Sequence, residues 1–127
     1  MEPVVLDNAL RPGGHYSLAM VHGGLVFVSG LLPIDPDTGA QVHGSVADET
    51  RQILSNLDMI LTKAGSCRNR VLKATVYISD IAQWGEVNRV YAEFFGEHRP
   101  ARAVVPVGTL HFGFQLELEA VAALEEA

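Results

Sequence analysis

The sequence predicts a domain of mixed helix and strand, with one sheet carrying two helices on the same face. Three observations lead there. Apolar residues recur at helical spacing in two stretches, strand-like runs surround those stretches, and the resulting order is strand, strand, helix, strand, helix, strand, strand. Two right-handed crossovers within one sheet place both helices on one side of it. At 127 residues the chain, 1–127, is one domain's worth, long enough to bury about two-thirds of its unfolded surface.

Tyr16 to Val21 and Leu25 to Ser29 read as two strands joined through His22-Gly23-Gly24, where paired glycines tolerate the positive φ of a tight hairpin. Asp35-Pro36-Asp37-Thr38-Gly39 is a turn, its proline fixing φ and its glycine free to go left-handed. Val46, Ile53, Leu54, Leu57, Ile60, Leu61 and Ala64 then form a helical stripe. Ser45 with Asp48 resembles a capping box at its start, and Gly65 stops it. Leu72, Ala74, Val76 and Ile78 alternate with Lys73, Thr75 and Tyr77 as in a half-buried strand. Asp80 is placed to cap a second helix, with Trp84, Val87, Val90, Tyr91, Phe94 and Phe95 on its apolar stripe and Pro100 beyond its end. Two strands close the chain, at about Arg102 to Val107 and Phe114 to Leu124.

One face of that sheet lacks a cover. Leu25-Val26-Phe27-Val28 and Val104-Val105 are apolar without alternation, which implies burial on both sides, yet the chain offers no third helix. A second copy of the chain is the economical cover, so a homo-oligomer is expected.

Hydrophobic residues make up 48% and charged residues 19%, an ordinary globular balance. Nine basic against fifteen acidic residues give a net charge of −6 with no basic run, which disfavours a nucleic-acid partner. Glu2 and Asp7 precede any apolar run, and the uncharged stretch from Ala103 to Leu116 is short and broken by Pro106 and Gly113. Neither a signal peptide nor a membrane span is indicated, and a soluble cytoplasmic protein is expected. The single cysteine, Cys67, has no intrachain disulfide partner and suits a reducing compartment. His15, His22, His43, His98 and His111 share no short ligand spacing, so no metal site is expected.

Chemistry concentrates in a few positions. Arg102 opens an apolar strand with no charge after it until Glu117; it is either a forked carboxylate grip or half of a structural ion pair. Glu117 and Glu119 share one face of the last strand, opposite Phe114, Leu116, Leu118 and Ala120. Burial at an interface would raise a carboxyl pKa towards neutrality, whereas a solvated edge would leave it ordinary. Tyr16 and Asn88 are less informative, since the first also reads as a strand aromatic and the second as an exposed helix residue.

In these residues, and in the strings Gly14-His15-Tyr16-Ser17, Leu25 to Gly30, Asn56-Leu57, Tyr91-Ala92-Glu93-Phe94-Phe95, Pro100-Ala101-Arg102 and Leu116 to Ala120, the sequence resembles the Rid family. This family, also called RidA/YjgF, comprises enamine and imine deaminases, and the resemblance runs from about Gly14 to Ala122. It implies a chorismate-mutase-like α+β fold, a homotrimer whose sheets form a central barrel, and active sites in clefts between subunits. By that resemblance Arg102 holds the substrate carboxylate, Glu117 places a water and handles protons, and Tyr16 stands in the site wall. Gly30 and Asn88 line the cleft, and Val104 contributes its backbone N–H. The implied reaction is hydrolysis of 2-imino acids to 2-keto acids and ammonia, without a cofactor.

The chain departs from the best-studied branch at four places: His15 stands for proline, Leu31 for glutamine, Ala103 for serine and His111 for proline. Two further functions therefore stay open. One is a non-catalytic trimer that binds 2-keto acids or similar small carboxylates; the other is hydrolysis of a different imine in a degradative pathway.

Overall fold

In a computed structural model, which describes residues 1–125, the strands are β1 (Glu2–Val4), β2 (Ala19–His22), β3 (Leu25–Leu31), β4 (Val71–Ile78), β5 (Ala101–Pro106) and β6 (Leu116–Ala123). The helices are α1 (Val46–Ala64) and α2 (Trp84–Phe95). The six strands form one sheet in the order β1-β2-β3-β6-β4-β5. Only β4 and β5 pair in parallel; every other neighbouring pair is antiparallel. The last strand inserts between β3 and β4, so α1 crosses over β6 while α2 joins adjacent strands.

The local signals act as the sequence reading expects. Gly23 (φ 60°) and Gly24 (φ 78°) are both left-handed, the backbone of a two-residue hairpin turn between His22 and Leu25. The Asp35 side chain accepts from the Asp37 N–H at 2.8 Å and Gly39 turns at φ 78°. Ser45 Oγ accepts from the Asp48 N–H at 3.1 Å at the start of α1, and Gly65 ends it at φ 89°.

The elements depart from expectation in several places, among them β3, which runs two residues past Ser29 to Leu31. The strand expected from Tyr16 begins at Ala19, because Tyr16 bends back so that its hydroxyl accepts from the Gly13 N–H at 3.2 Å. β1 has only three residues, too short for an alternation to be visible, and Val4 is its sole buried side chain. Asp80 caps a 3-10 turn over Ile81–Gln83 ahead of α2, accepting from the Ala82 N–H at 3.0 Å. Phe114 lies before β6 rather than in it, in the stretch that follows a tight turn over His111–Gly113.

Both helices bury their stripes against one sheet face. Ile53, Leu57 and Ile60 of α1 and Val87 and Val90 of α2 share a core with Val26 and Val28 of β3, Ala74, Val76 and Ile78 of β4, and Leu116, Leu118 and Ala120 of β6. Arg68 ties the helices together: its guanidinium pairs with Asp58 at 2.8 Å, donates to the Phe94 carbonyl at 3.0 Å and lies 4.0 Å from the centroid of the Phe94 ring. The opposite face has no helix over it. There Phe27 is 44% and Val105 37% exposed, so the second cover expected for these strands is not supplied by the described residues.

One buried polar contact sets the ends of α1 and β6. Glu49, 1% exposed, accepts from the Gln115 backbone N–H at 2.9 Å and from its side-chain amide at 2.7 Å. Removing that carboxylate strands two donors, at a cost of roughly 1–3 kcal/mol per unsatisfied group. Glu49→Ala is therefore expected to lower unfolding free energy by about 2 kcal/mol or more in urea titrations, whereas Asp48→Ala, one residue away on the exposed side, changes it by about 0.5 kcal/mol or less.

Candidate functional site

Alternation along the sheet decides where the candidate residues go. Arg102 is in register with Ala74, which pairs onward with Ala120, and all three belong to the helix face. Glu117 is in register with Tyr77, which pairs onward with Val105, on the opposite face. Successive strand residues point to opposite sides, so Arg102 and Glu117 of one chain are separated by the sheet itself. The candidates form two groups.

The first group gathers where α2 meets β5. The Arg102 guanidinium donates to Asn88 Oδ1 at 2.9 Å and lies 4.8 Å from the centroid of the Tyr91 ring and 5.5 Å from that of Trp84. Aromatic faces stabilise a guanidinium without neutralising it. Among the described residues no carboxylate comes within ion-pair distance of Arg102, so the structural ion pair weighed from sequence does not form there. What remains is a half-buried cation, oriented by a neutral amide, with forked donors to spare. Arg102 and Asn88 line a cavity of about 520 Å³ with Tyr91, Phe95 and Arg99. Among the described residues the buried Tyr91 hydroxyl has no hydrogen-bond partner. Val104, two residues on, packs partly against the core, and β5 is an edge strand with one side unpaired in the sheet.

The second group surrounds Glu117. Gly30 lies against this side chain so closely that a Cβ there would collide with the Glu117 carboxylate. Burial raises the Glu117 pKa above the ordinary carboxyl value, the neighbouring Glu119 raises it further, and His111 pulls it partly back. Glu119 is differently placed, since its carboxylate accepts from the Tyr77 hydroxyl at 2.6 Å. Gly30 also lines a cavity of about 410 Å³ with Tyr16, Leu31 and His111. The expected Tyr16, Gly30 and Glu117 thus fall on one side of the molecule and Arg102, Asn88 and Val104 on the other.

Sequence reading passed over three features of these surroundings. Tyr91 and Trp84 look like parts of one apolar stripe, and only the structure shows their rings beside Arg102. Glu49 looks like an ordinary first-turn acid. Phe112 gives no sequence signal at all, yet it is the one described non-glycine residue with positive φ (58°), and its ring centroid lies 3.6 Å from that of His111. Of the four departures from the best-studied branch, Leu31 and His111 line the Glu117-side cavity, and Ala103 is exposed on the uncovered sheet face. No cluster of three or more metal-ligating side chains occurs among the described residues, and no helix is long and apolar enough to cross a membrane.

The Glu117 carboxyl is expected to titrate above the usual value of about 4.3 in ¹³C-carboxyl NMR. Glu119→Gln removes a like charge and should move that midpoint down; His111→Ala removes an attractive charge and should move it up. Gly30→Ala should leave the fold intact but push the flexible carboxylate aside and change its midpoint. A Glu117 that titrates at or below the usual value would contradict this reading of its surroundings.

Comparison with known proteins gives a consistent match. The model of the Ribonuc_L-PSP family, described as endoribonuclease L-PSP, matches residues 6–124. A RutC family protein of Pyrococcus horikoshii is 45% identical over 121 residues, covering 95% of this chain and 96% of its own. The 2-iminobutanoate/2-iminopropanoate deaminase of Homo sapiens is 39% identical over 120 residues, 93% of this chain and 88% of its own. Among solved structures, that of E. coli TdcF with bound serine superposes with a TM-score of 0.91 at 33% identity, covering 98% of this chain and 100% of the other.

Proposed function

The chain belongs to the Ribonuc_L-PSP (YjgF/RidA) family, and from that footing we propose that it hydrolyses 2-imino acids to 2-keto acids and ammonia at clefts between copies of itself. The observation that carries this reading is the pair of half-sites: a guanidinium with donors to spare on one side of the sheet, and a carboxyl with raised pKa on the other. Neither half suffices alone. Head-to-tail packing of the Arg102 side of one copy against the Glu117 side of the next unites them. Such heterologous contacts close into rings, and three chains make the ring that the family resemblance implies. The same packing would cover Phe27 and Val105.

The chemistry asks little of the protein. The substrate carboxylate takes parallel N–H donors from Arg102, whose fork Asn88 and the Tyr91 ring hold in place. The imine carbon is electrophilic once its nitrogen is protonated. Glu117 accepts a proton from water as that water's oxygen bonds to the imine carbon, giving a carbinolamine. Glu117 returns that proton to the amine nitrogen. As the C–N bond breaks, the hydroxyl oxygen forms the carbonyl and gives its proton to Glu117. Glu117 passes it to the departing ammonia, so that ammonium leaves and the keto acid remains. A carboxyl with pKa raised towards neutrality serves both transfers better than an ordinary one. Tyr16 closes the wall of the site, Gly30 leaves room for the carboxylate, and Val104 supplies a backbone N–H at the edge of β5. The proposed reaction calls on no cofactor, and a cytoplasmic location belongs to the same proposal.

The related structure with bound serine supports a small amino-acid-like carboxylate as the ligand class. The family's endoribonuclease description is the competing reading, and a net charge of −6 opposes it, because RNA binding rests on cationic contacts to phosphate.

Mixing experiments test the divided site. Arg102→Ala and Glu117→Gln should each lower kcat/KM for 2-iminopropanoate at least a hundredfold while the trimer persists in sedimentation. Arg102→Lys should recover little, since a point charge lacks the fork. When the two inactive variants are unfolded together and refolded, about a quarter of the clefts receive Arg102 from one copy and Glu117 from another, so about a quarter of the wild-type activity should return. Mixtures that stay inactive, or a monomeric wild type, would refute the intersubunit site.

A further inference from the structure

The cavity on the Glu117 side is larger and more apolar than hydrolysis of the smallest imino acids requires. Its volume, about 410 Å³, falls in the range of small-molecule pockets, roughly 300–1,000 Å³. Leu10, Leu18, Leu31, Ile34 and Phe112 line it together with Gly30. Leu10, Leu18 and Leu31 are each buried to 5% exposure or less, so they form a fixed apolar floor. The polar side chains that share the lining, Arg11, Gln41 and His111, are all exposed.

The position of this cavity relative to the reacting groups is set by Gly30. One side of that glycine carries the Glu117 carboxylate in contact, and the same residue forms part of the cavity wall. A 2-imino acid has three parts: a carboxylate, the imine carbon and a side chain. With the carboxylate on Arg102 of a neighbouring copy and the imine carbon at Glu117, the side chain is the part left to enter the cavity. Phe112 completes the fit. This residue is 50% exposed, its ring beside His111, on a backbone at φ 58° that residues bearing a Cβ seldom adopt. An aromatic held open to water at a cavity wall is a surface that an apolar group would cover.

We infer that this cavity is a side-chain subsite, and that the chain prefers 2-oxo and 2-imino acids with branched or aromatic hydrocarbon side chains over those bearing only a methyl group. The inference rests on the carboxylate reading of Arg102 given above, and binding of stable 2-oxo acids tests it without needing turnover. Each methylene buried is worth about a fourfold gain in affinity. Isothermal titration of the intact protein with pyruvate, 4-methyl-2-oxopentanoate and phenylpyruvate should therefore give Kd values at least tenfold tighter for the two larger acids. Phe112→Ala, a change at an exposed ring, should shrink that ratio to threefold or less while altering pyruvate affinity less than twofold. Equal affinities across the series, tightest binding of pyruvate, or a Phe112→Ala loss shared equally by all three acids would overturn the side-chain subsite and leave the carboxylate grip standing. Failure of all three acids to bind would overturn both.

Discussion

The period-two alternation of a β-strand decides where this molecule's candidate residues lie. β5 and β6 are separated in the sheet only by β4, so their residues are close along the sheet, but parity sends Arg102 to the helix face and Glu117 to the other. No loop movement within one chain can reverse that parity, because shifting a strand by one residue would also turn Leu116, Leu118 and Ala120 out of the core. The core therefore fixes the separation of the two charges. Under the proposed function, chemistry needing both would use a surface that a second copy brings, and Phe27 and Val105, left open on the same sheet face as Glu117, lie where such a copy would sit.

The two half-sites are tuned in opposite ways. Arg102 keeps its charge against aromatic faces and a neutral amide, an arrangement that holds a cation ready for an anion without supplying one. Glu117 has lost part of its hydration and faces another carboxylate, so its charged form is disfavoured. Under the proposed function, a ligand that brings a carboxylate to the arginine, together with a proton for the glutamate, would answer both conditions. Strain at Phe112 belongs to the same pattern, since departures from local preference tend to gather at functional surfaces.

Much of the fold was legible in the sequence because it rests on local chemistry. The Gly23-Gly24 hairpin, the Asp35 turn, the Ser45 cap and the Gly65 stop each work through one or two side chains within a few residues, and all are where the spacing put them. What escaped depends on contacts across the chain. β1 exists only because β2 offers it an edge, and Tyr16 leaves its expected strand for a bond to a backbone three residues earlier. The roles of Arg102, Glu117 and Asn88 came from resemblance; residue type and position alone left Arg102 open between a grip and a structural ion pair. The sheet supplied the missing term, which is their parity.

Gln115 shows how a residue with no chemistry of its own can place those that have it. Its N–H and amide donate to the buried Glu49, its amide also reaches the Gly44 carbonyl at 3.0 Å, and its side-chain oxygen accepts from Gln83 at 3.0 Å. Its carbonyl accepts from the Ser79 N–H at 2.9 Å. These bonds tie α1, the end of β4 and the approach to α2 to one point at the foot of β6. On one side of that point lies the His111–Phe112 turn, and two residues to the other lies Glu117. Register along β6 is therefore set before Glu117 is reached, and the turn bordering the cavity is held at its far end. Paired polar groups of this kind hold their neighbours in place, and the one loose end of the set among the described residues is the buried side-chain oxygen of Gln83, which has no partner there. The cavity and the carboxyl keep their mutual position because they hang from the same anchored residue.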